Sequence, residues 1–382
     1  MNYRTHIATS LSEIGQAAWD GLLACQDKPN PFLSFAFLDA LHSSGSACAQ
    51  SGWQPQFLLL YDAAQLAAAM PLYLKSHSYG EYVFDWAWAD AYQRHGLDYY
   101  PKLLSAIPFT PVSGPRLLAR DGAARSALVE ALCAIQQASP VSSSHVLYPP
   151  EEQARQLAAA GFMLRSGVQF HWLNAGYRDF EHFLSTLEHK KRKNIRAERR
   201  KVAAAGVTLR RVRGSEASEA DWCLFERCYR HTYAAHHSTP YLNLAFFLQI
   251  GRSMAQHILL VIAERGGAPI AASLVIHSAD TLFGRYWGEL EHVPCLHFEA
   301  AYYQPLEFCI EQGIAVFEGG AQGEHKMARG FLPTRTWSAH WLAHPGFADA
   351  VERFLERESG GIEEYIDELN DRNPFRDACA PV

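Results

Sequence analysis

The sequence predicts a mixed α/β (α+β) protein of two similar modules, each a mostly antiparallel sheet flanked by helices. Three observations predict it. The 382 residues exceed what one compact core usually holds and suit two. Apolar residues make up 48 % of the chain and charged residues 19 %, enough to fill sizeable cores and too little charge for disorder. An order of three strand-like segments, then helix, then strand, occurs twice.

In chain order, an amphipathic opening (Ile14, Ala17, Ala18, Leu22) and the loop KPNPF precede a helix over 35–41. GWQPQFLLLYD, AAMPLYLKSH and YVFDWAWAD read as an antiparallel meander. Residues 99–104 and 125–138 read as helices, with FTPVSGPRLL between them and HVLYPP after them as strands. A single amphipathic helix is expected over 179–205, stopped by Gly206, with further helices over 219–236 and 242–254. QHILLVIAER, PIAASLVIHS and TLFGRYWGEL form the second meander, followed by the helix-like HFEAAYYQPLEFCIEQG and the strand AVFEGGAQG. Pro305 removes a backbone bond, so that helix is expected to begin near it and leave His297 and Glu299 in a loop. After Pro345 the tail is acidic and helical, broken at Gly360-Gly361. These elements divide the chain into modules 1–165 and 166–345 and a tail, 346–382.

The formal net charge of −6 hides a local +6: EHKKRKNIRAERRK, Glu188 to Lys201, carries eight Lys/Arg and two Glu. Mild acidity excludes a nucleic-acid binder built on a whole-domain basic field. The basic helix is either a solvated face or, through Lys190, Lys191, Arg192, Lys193 and Arg196, a site for a polyanion such as tRNA, a nucleotide or an anionic membrane surface. No aromatics interleave it, so base stacking is not expected. The apolar runs are strand-sized, predicting no transmembrane segment, and the opening residues lack the pattern of a secretory signal. Eight cysteines without a CxxC point to reduced thiols and a cytoplasmic protein.

The sequence has no GxSxG, GxxxxGK, HExxH or GxGxxG, which argues against a serine hydrolase, a P-loop ATPase, a zincin and a Rossmann dehydrogenase. Its densest chemistry is EGGAQGEHKMARGF, beginning at Glu318 directly after an apolar strand. Either Glu318 or His325 is suited to take a proton from an attacking amine, and Lys326 and Arg329 to hold an anion; alternatively these charges only pair with each other. His297 and Glu299 are second candidates for the base. His297, Glu299, Glu318, Glu324 and His325 have no metal-ligand spacing, so no metal is expected. Asp85, Asp90, Tyr92, Arg94, His95, Asp98, Tyr99, Tyr100 and Lys102 cluster after the first meander, as a site or as an interface between modules.

The blocks NPFLSFAFLDALHSSGSA, PLYLKSHSYGEYVFDWAWADAY, YYPKLLSAIPFTPVSGPRLL, HFEAAYYQPLEFCIEQG and FEGGAQGEHKMARGF resemble those of the bacterial FemAB-like N-acyltransferases, tandem-GNAT-fold proteins linked to peptidoglycan biosynthesis or recognition. The resemblance covers nearly the whole chain and implies two GNAT-like modules. It further implies that a donor acyl carbonyl meets a backbone amide near a bulge in a fourth strand, TLFGRYWGEL, and that a splay from the fifth, AVFEGGAQG, admits the donor arm. The implied activity is transfer of an acyl or aminoacyl group to an amine of a small molecule or peptide, such as a cell-wall precursor. Acyl-CoA (acetyl-CoA) is one implied donor. The pyrophosphate loop R/Q-x-x-G-x-G/A is replaced by LEHVPCLHFEA, however, and in the related Fem ligases the donor is an aminoacyl-tRNA, whose charged helical segment the basic helix resembles. Arg285, Tyr286, Gln322, Glu324, Asp85, Asp90, Tyr99 and Lys102 join Lys326 and Arg329 as expected substrate-binding residues. The alternative is a non-catalytic protein that recognises a peptide or peptidoglycan-type ligand on the same fold.

Overall fold

The structure is a computed structural model in which residues 3–320 and 323–376 are described. The chain forms two compact units, one of residues 1–168 with 335–365, the other of 169–334 with 366–382. The sequence division into consecutive segments thus becomes two units of two stretches each, because a late strand and most of the tail belong with the N-terminal residues.

The first unit begins with β1 (Arg4–Ala8), α1 (Gln16–Ala24), α2 (Phe35–Ser43), β2 (Trp53–Pro55), β3 (Phe57–Asp62), β4 (Gln65–Met70) and β5 (Tyr73–Lys75). It continues with α3 (Trp86–Arg94), β6 (Lys102–Ser105), β7 (Leu118–Ala119), α4 (Gly122–Ala138), β8 (Ser143–Leu147) and α5 (Glu151–Ala159). One antiparallel sheet has the order β1-β3-β4-β7. In the other sheet, β2, β5 and β6 pair antiparallel, and β6 and β8 pair parallel. Two expectations are corrected here. YVFDWAWAD contributes a helix instead of a third strand: Trp88 and Tyr92, four apart, bury one face of α3, and the β-prone aromatics hid that period. Residues 102–105 are a strand instead of a helix, with all four side chains buried, and FTPVSGPRLL supplies only Leu118 to a sheet.

β9 (Met163–Leu173) carries the chain into the second unit. There follow α6 (Phe180–Thr186), α7 (His189–Ala204), β10 (Val207–Arg213), α8 (Glu219–Ala235), α9 (Leu244–Ser253), β11 (Ile258–Arg265), β12 (Ala268–His277) and β13 (Thr281–Glu289). Next come α10 (Leu296–Phe298), a π-helical turn (Glu299–Tyr303), α11 (Gln304–Gln312) and β14 (Val316–Glu318). The strand order is β10-β11-β12-β13-β14-β9, antiparallel except for β13 and β14. β15 (Leu332–Leu342) returns to the first unit, where it pairs with β8, and α12 (Pro345–Asp371) packs Val351 and Leu355 against Trp88 and Tyr92.

Three helix expectations are also corrected. The 179–205 segment is two helices, because Leu187 and Glu188 are extended (ψ 158° and 148°). Helix continues through 296–312, so His297 and Glu299 are helical. The π turn just before Pro305 moves hydrogen bonding away from the carbonyl that the proline ring would crowd. Gly360-Gly361 do not interrupt α12.

β13 meets α8 at Gly288, where a Cβ would stand 2.1 Å from the Cys228 carbonyl oxygen. Gly288→Ala is therefore expected to destabilise the protein by about 2 kcal/mol or more through overpacking. Gly360→Ala, with open space around it, is expected to stabilise by about 0.5–1 kcal/mol. Urea unfolding of both variants checks the two signs.

Candidate active site

β13 and β14 pair over only three residues, Thr281 with Val316, Leu282 with Phe317 and Phe283 with Glu318, and then part. On its other edge β13 slips register: Val275 faces Gly284 but Leu274 faces Tyr286, which makes Arg285 the extra residue of a bulge. Bulge and divergence open a cleft of about 150 Å³ whose walls include Arg285, Tyr286, Trp287, His297, Tyr302, Gly320 and Lys326.

The helix 296–312 supplies one wall. The His297 ring lies 5.5 Å from that of Trp287 and 5.4 Å from that of Tyr302. The Tyr302 hydroxyl stands 3.3 Å from His325 Nε2. Burial, reinforced by His325 and Arg329, pushes His297 down to about 4. Burial, then Arg329 and Lys326, also holds His325 below the usual histidine range, so both rings are neutral at pH 7. Lys326 is 2 % exposed and its Nζ donates to the Gly320 carbonyl at 2.8 Å. Desolvation lowers its ammonium to about 8. His171 on β9 is buried, and desolvation followed by Lys326 pushes it down to about 4. Sequence reasoning missed His171; its available signal was the apolar run around it, QFHWL.

Arginine–carboxylate pairs fix the wall to α7. Arg329 Nη2 donates to both Glu198 oxygens (3.0 and 2.9 Å), Nε to the Tyr303 hydroxyl (3.0 Å) and Nη1 to the His325 carbonyl (2.8 Å). The Tyr303 hydroxyl donates to Glu198, and the guanidinium lies over the Phe298 ring. Glu299 accepts from Arg199 Nε (3.1 Å) and Nη2 (2.9 Å) and from Gln304 (2.9 Å), while Arg199 Nη1 reaches Glu307 at 2.6 Å. Glu299 and Arg329 are thus committed to framework pairs. The residues that hold them, Glu198, Arg199 and Tyr303, are not ones the sequence singles out. Glu198 and Arg199 sit inside the basic run, where they read as part of its charge.

Lys190, Lys193 and Arg196 are exposed, Lys191 and Arg192 half-buried. Arg196 pairs with Glu181, and Arg192 donates to the Ser185 carbonyl at 3.3 Å. A surface groove of about 180 Å³ runs along His189, Arg192, Lys193, Arg196 and Arg200. Glu324 is exposed, 3.2 Å from Arg372, and Glu318 is half-buried at the end of β14. Gln322 lies outside the described residues.

In the first unit Asp85, Tyr99 and Lys102 meet in the interior, none more than 3 % exposed. Lys102 Nζ donates to Ser78 (2.8 Å), Glu81 (2.8 Å) and Asp85, and Tyr99 donates to Asp85 at 2.7 Å. Burial raises Glu81 to about 7 against the pull of Lys102, and lowers Lys75 to about 7. Asp90 lies apart, exposed and paired with Arg94. Among the described residues no group of three or more His, Cys, Asp or Glu could hold a metal, and no helix is long and apolar enough to cross a membrane.

Mixed sheets flanked by helices, with a bulged strand diverging from a parallel neighbour over a cleft, define a tandem GNAT-like fold. The FemAB-like family, described as peptidoglycan biosynthesis/recognition, matches residues 10–377, and the chain belongs to it. FemX superposes with a TM-score of 0.56 at 10 % identity, covering 91 % of this chain and 100 % of FemX. The C-terminal domain of an Agrobacterium fabrum protein assigned as a lysylphosphatidylglycerol synthetase gives 0.54 at 11 % identity, covering 91 % and 97 %. A tandem GNAT protein of clavulanic acid biosynthesis gives 0.47 at 13 %, covering 90 % and 99 %. No curated protein matches the sequence.

Breaking the Arg329 pair leaves Glu198, half-buried, with the Tyr303 hydroxyl but without its cation. Arg329→Met is expected to cost about 3 kcal/mol. A double-mutant cycle with Glu198→Gln, read by chemical unfolding, is expected to show coupling of at least about 1 kcal/mol.

Proposed function

We propose that the chain is an N-acyltransferase that moves an aminoacyl or acyl group from an activated donor to an amine, with the reaction in the cleft between β13 and β14. The observation that carries this reading is a cleft opened by a strand bulge and lined by a buried lysine, Lys326, and a neutral histidine, His297, with the exposed His325 next to Lys326 in sequence. The amine nitrogen attacks the donor carbonyl carbon, forming the C–N bond and placing negative charge on the carbonyl oxygen. The Lys326 ammonium and the backbone at the Arg285 bulge hold that charge. Collapse breaks the bond to the leaving oxygen or sulfur. His325, oriented by Tyr302, takes the amine proton and returns it to the leaving group; Glu318 at the end of β14 is the other candidate base.

An aminoacyl-tRNA is the favoured donor. Residues 290–296 contain no glycine, so the glycine-rich cradle for a CoA pyrophosphate is missing, whereas α7 offers exposed cations to a phosphate backbone. Acyl-CoA is the second donor to test. Action in the cytoplasm, where charged tRNA is found, and a peptide or cell-wall precursor as acceptor are part of the same reading.

Incubation with charged tRNAs and acyl-CoAs, followed by product mass and thermal-shift measurement, tests the proposal; no product and no stabilisation from either donor would sink it. The rate should be bell-shaped in pH. Its acid limb rises as His325 loses its proton below the usual histidine range, and its basic limb falls as Lys326 loses its charge near 8. Lys326→Met should remove the basic limb and lower kcat by about 10²–10³. Reversing Lys190, Lys193 and Arg200 to Glu should flatten the log–log salt dependence of tRNA retention by about two to three.

A further inference from the structure

Three lysines are buried among the described residues, and two of them sit beside carboxylates. Lys102 gathers Ser78, Glu81 and Asp85, and Lys75 approaches Glu81 at 3.9 Å. Lys326 is as buried as these but is placed differently. No described carboxylate pairs with it, and its Nζ is bonded to the Gly320 carbonyl alone. The charges near it in sequence are committed elsewhere, Arg329 to Glu198 and Glu324 to Arg372. An enclosed ammonium without a counter-ion is costly, and the cost favours the free amine.

Bare backbone brings that amine to the cleft. A Cβ on Gly319 would stand 3.1 Å from Lys326 Cδ, so the lysine stem lies directly against the chain that leaves β14. A Cβ on Gly320, at φ +86°, would stand 4.0 Å from Lys326 Nζ and 3.6 Å from the Gly284 carbonyl oxygen. The amine therefore lies alongside β13, next to the bulge at Arg285. Lys326, Gly284 and Arg285 line the same cleft of about 150 Å³. A carbonyl held at the bulge thus faces a nitrogen as well as a positive charge. The desolvation that brings Lys326 to about 8 also leaves more of it unprotonated at pH 7 than an exposed lysine keeps.

We infer that Lys326 is the protein's own acceptor: an activated acyl ester or thioester that enters the cleft with no amine to follow it acylates Lys326. The neutral Nζ attacks the carbonyl carbon and the N–C bond forms. The bond to the leaving oxygen or sulfur breaks, and that atom takes the electron pair and the proton lost from Nζ. The product is an amide, which carries no positive charge and does not release the acyl group again. Acylation removes the cation assigned to the developing oxyanion, so the cleft silences itself when donor outruns acceptor. The silencing rests on the transferase reading, whereas the acylation itself needs only the buried amine and an activated acyl group.

The test incubates the full-length protein, in a buffer free of amines, with S-acetyl-N-acetylcysteamine, a small thioester without a nucleotide, and follows each lysine by peptide mass mapping. In the folded protein Lys326 is expected to be acetylated about tenfold faster than the exposed Lys190 and Lys193, and in urea no faster than they are. Lys326 left unmodified, or modified only at the rate of the exposed lysines, overturns the inference. A preference that survives urea overturns it too, since it would belong to the local sequence and not to the cleft. The wild-type chain carries this comparison, so no variant has to fold. The acetylated protein is then supplied with charged tRNAs or acyl-CoAs and an amine; transfer that continues undiminished overturns the silencing. Acetylation of Lys326 in a chain that transfers to no amine supports the modification and removes only the transferase reading.

Discussion

The second unit depends on two strands that pair for three residues and then part. Had β13 and β14 stayed hydrogen-bonded, the sheet would be closed where the cleft now lies. The bulge at Arg285 turns β13, and the helix 296–312 fills the far side with Tyr302 and His297 aimed at the gap. A π turn lets Pro305 sit in that helix without breaking it. The first unit has one parallel pair of the same kind, β6 with β8, but the residues that follow those strands are large and buried. Phe109 and Tyr148 are 2 % and 5 % exposed, and Arg116, fully enclosed, donates to the Val112 carbonyl at 2.7 Å. The parallel pair of the second unit thus opens onto a cleft, whereas that of the first unit is followed by large buried side chains, and the proposed reaction is assigned to the former.

Electrostatics in the second unit follow from α7 having two faces. Toward the interior, Glu198 and Arg199 are consumed by Arg329, Tyr303, Glu299 and Glu307, a set of pairs that fixes the π turn and hence the cleft wall. Toward solvent, the remaining cations have few carboxylates near them. The same helix thus acts as a structural strut and a charged surface. In the cleft, desolvation sets the protonation states: it keeps His297 neutral and leaves Lys326 charged at pH 7 but close to losing its proton.

Much of the architecture was legible because alternation and amphipathic period survive in single segments: α1, α2, α4, α8, α9 and the β11–β13 meander follow the sequence reading. The errors share a physical cause. YVFDWAWAD and 99–104 contain residues whose local preference is overruled by what they pack against, aromatic residues in α3 and a fully buried lysine in β6. The break inside 179–205 and the continuity at Pro305 and Gly360-Gly361 depend on capping and tertiary support rather than on composition. For the cleft, the glycine-rich stretch after β14 was visible as a concentration of reactive side chains. Which of them are tied up was not visible, because Arg329 finds its carboxylate 131 residues away and Glu299 its arginine 100 residues away.

The interleaving of the two units has a consequence for biosynthesis. β8 emerges from the ribosome with one edge uncovered, and its partner β15 is synthesised only after the whole of the second unit's sheet. Residues 169–334 are synthesised while the first unit still lacks a strand and the helix that covers Trp88 and Tyr92. Such a chain has high contact order and an exposed strand edge during translation, so its yield in a cell depends on shielding that edge until the last residues arrive.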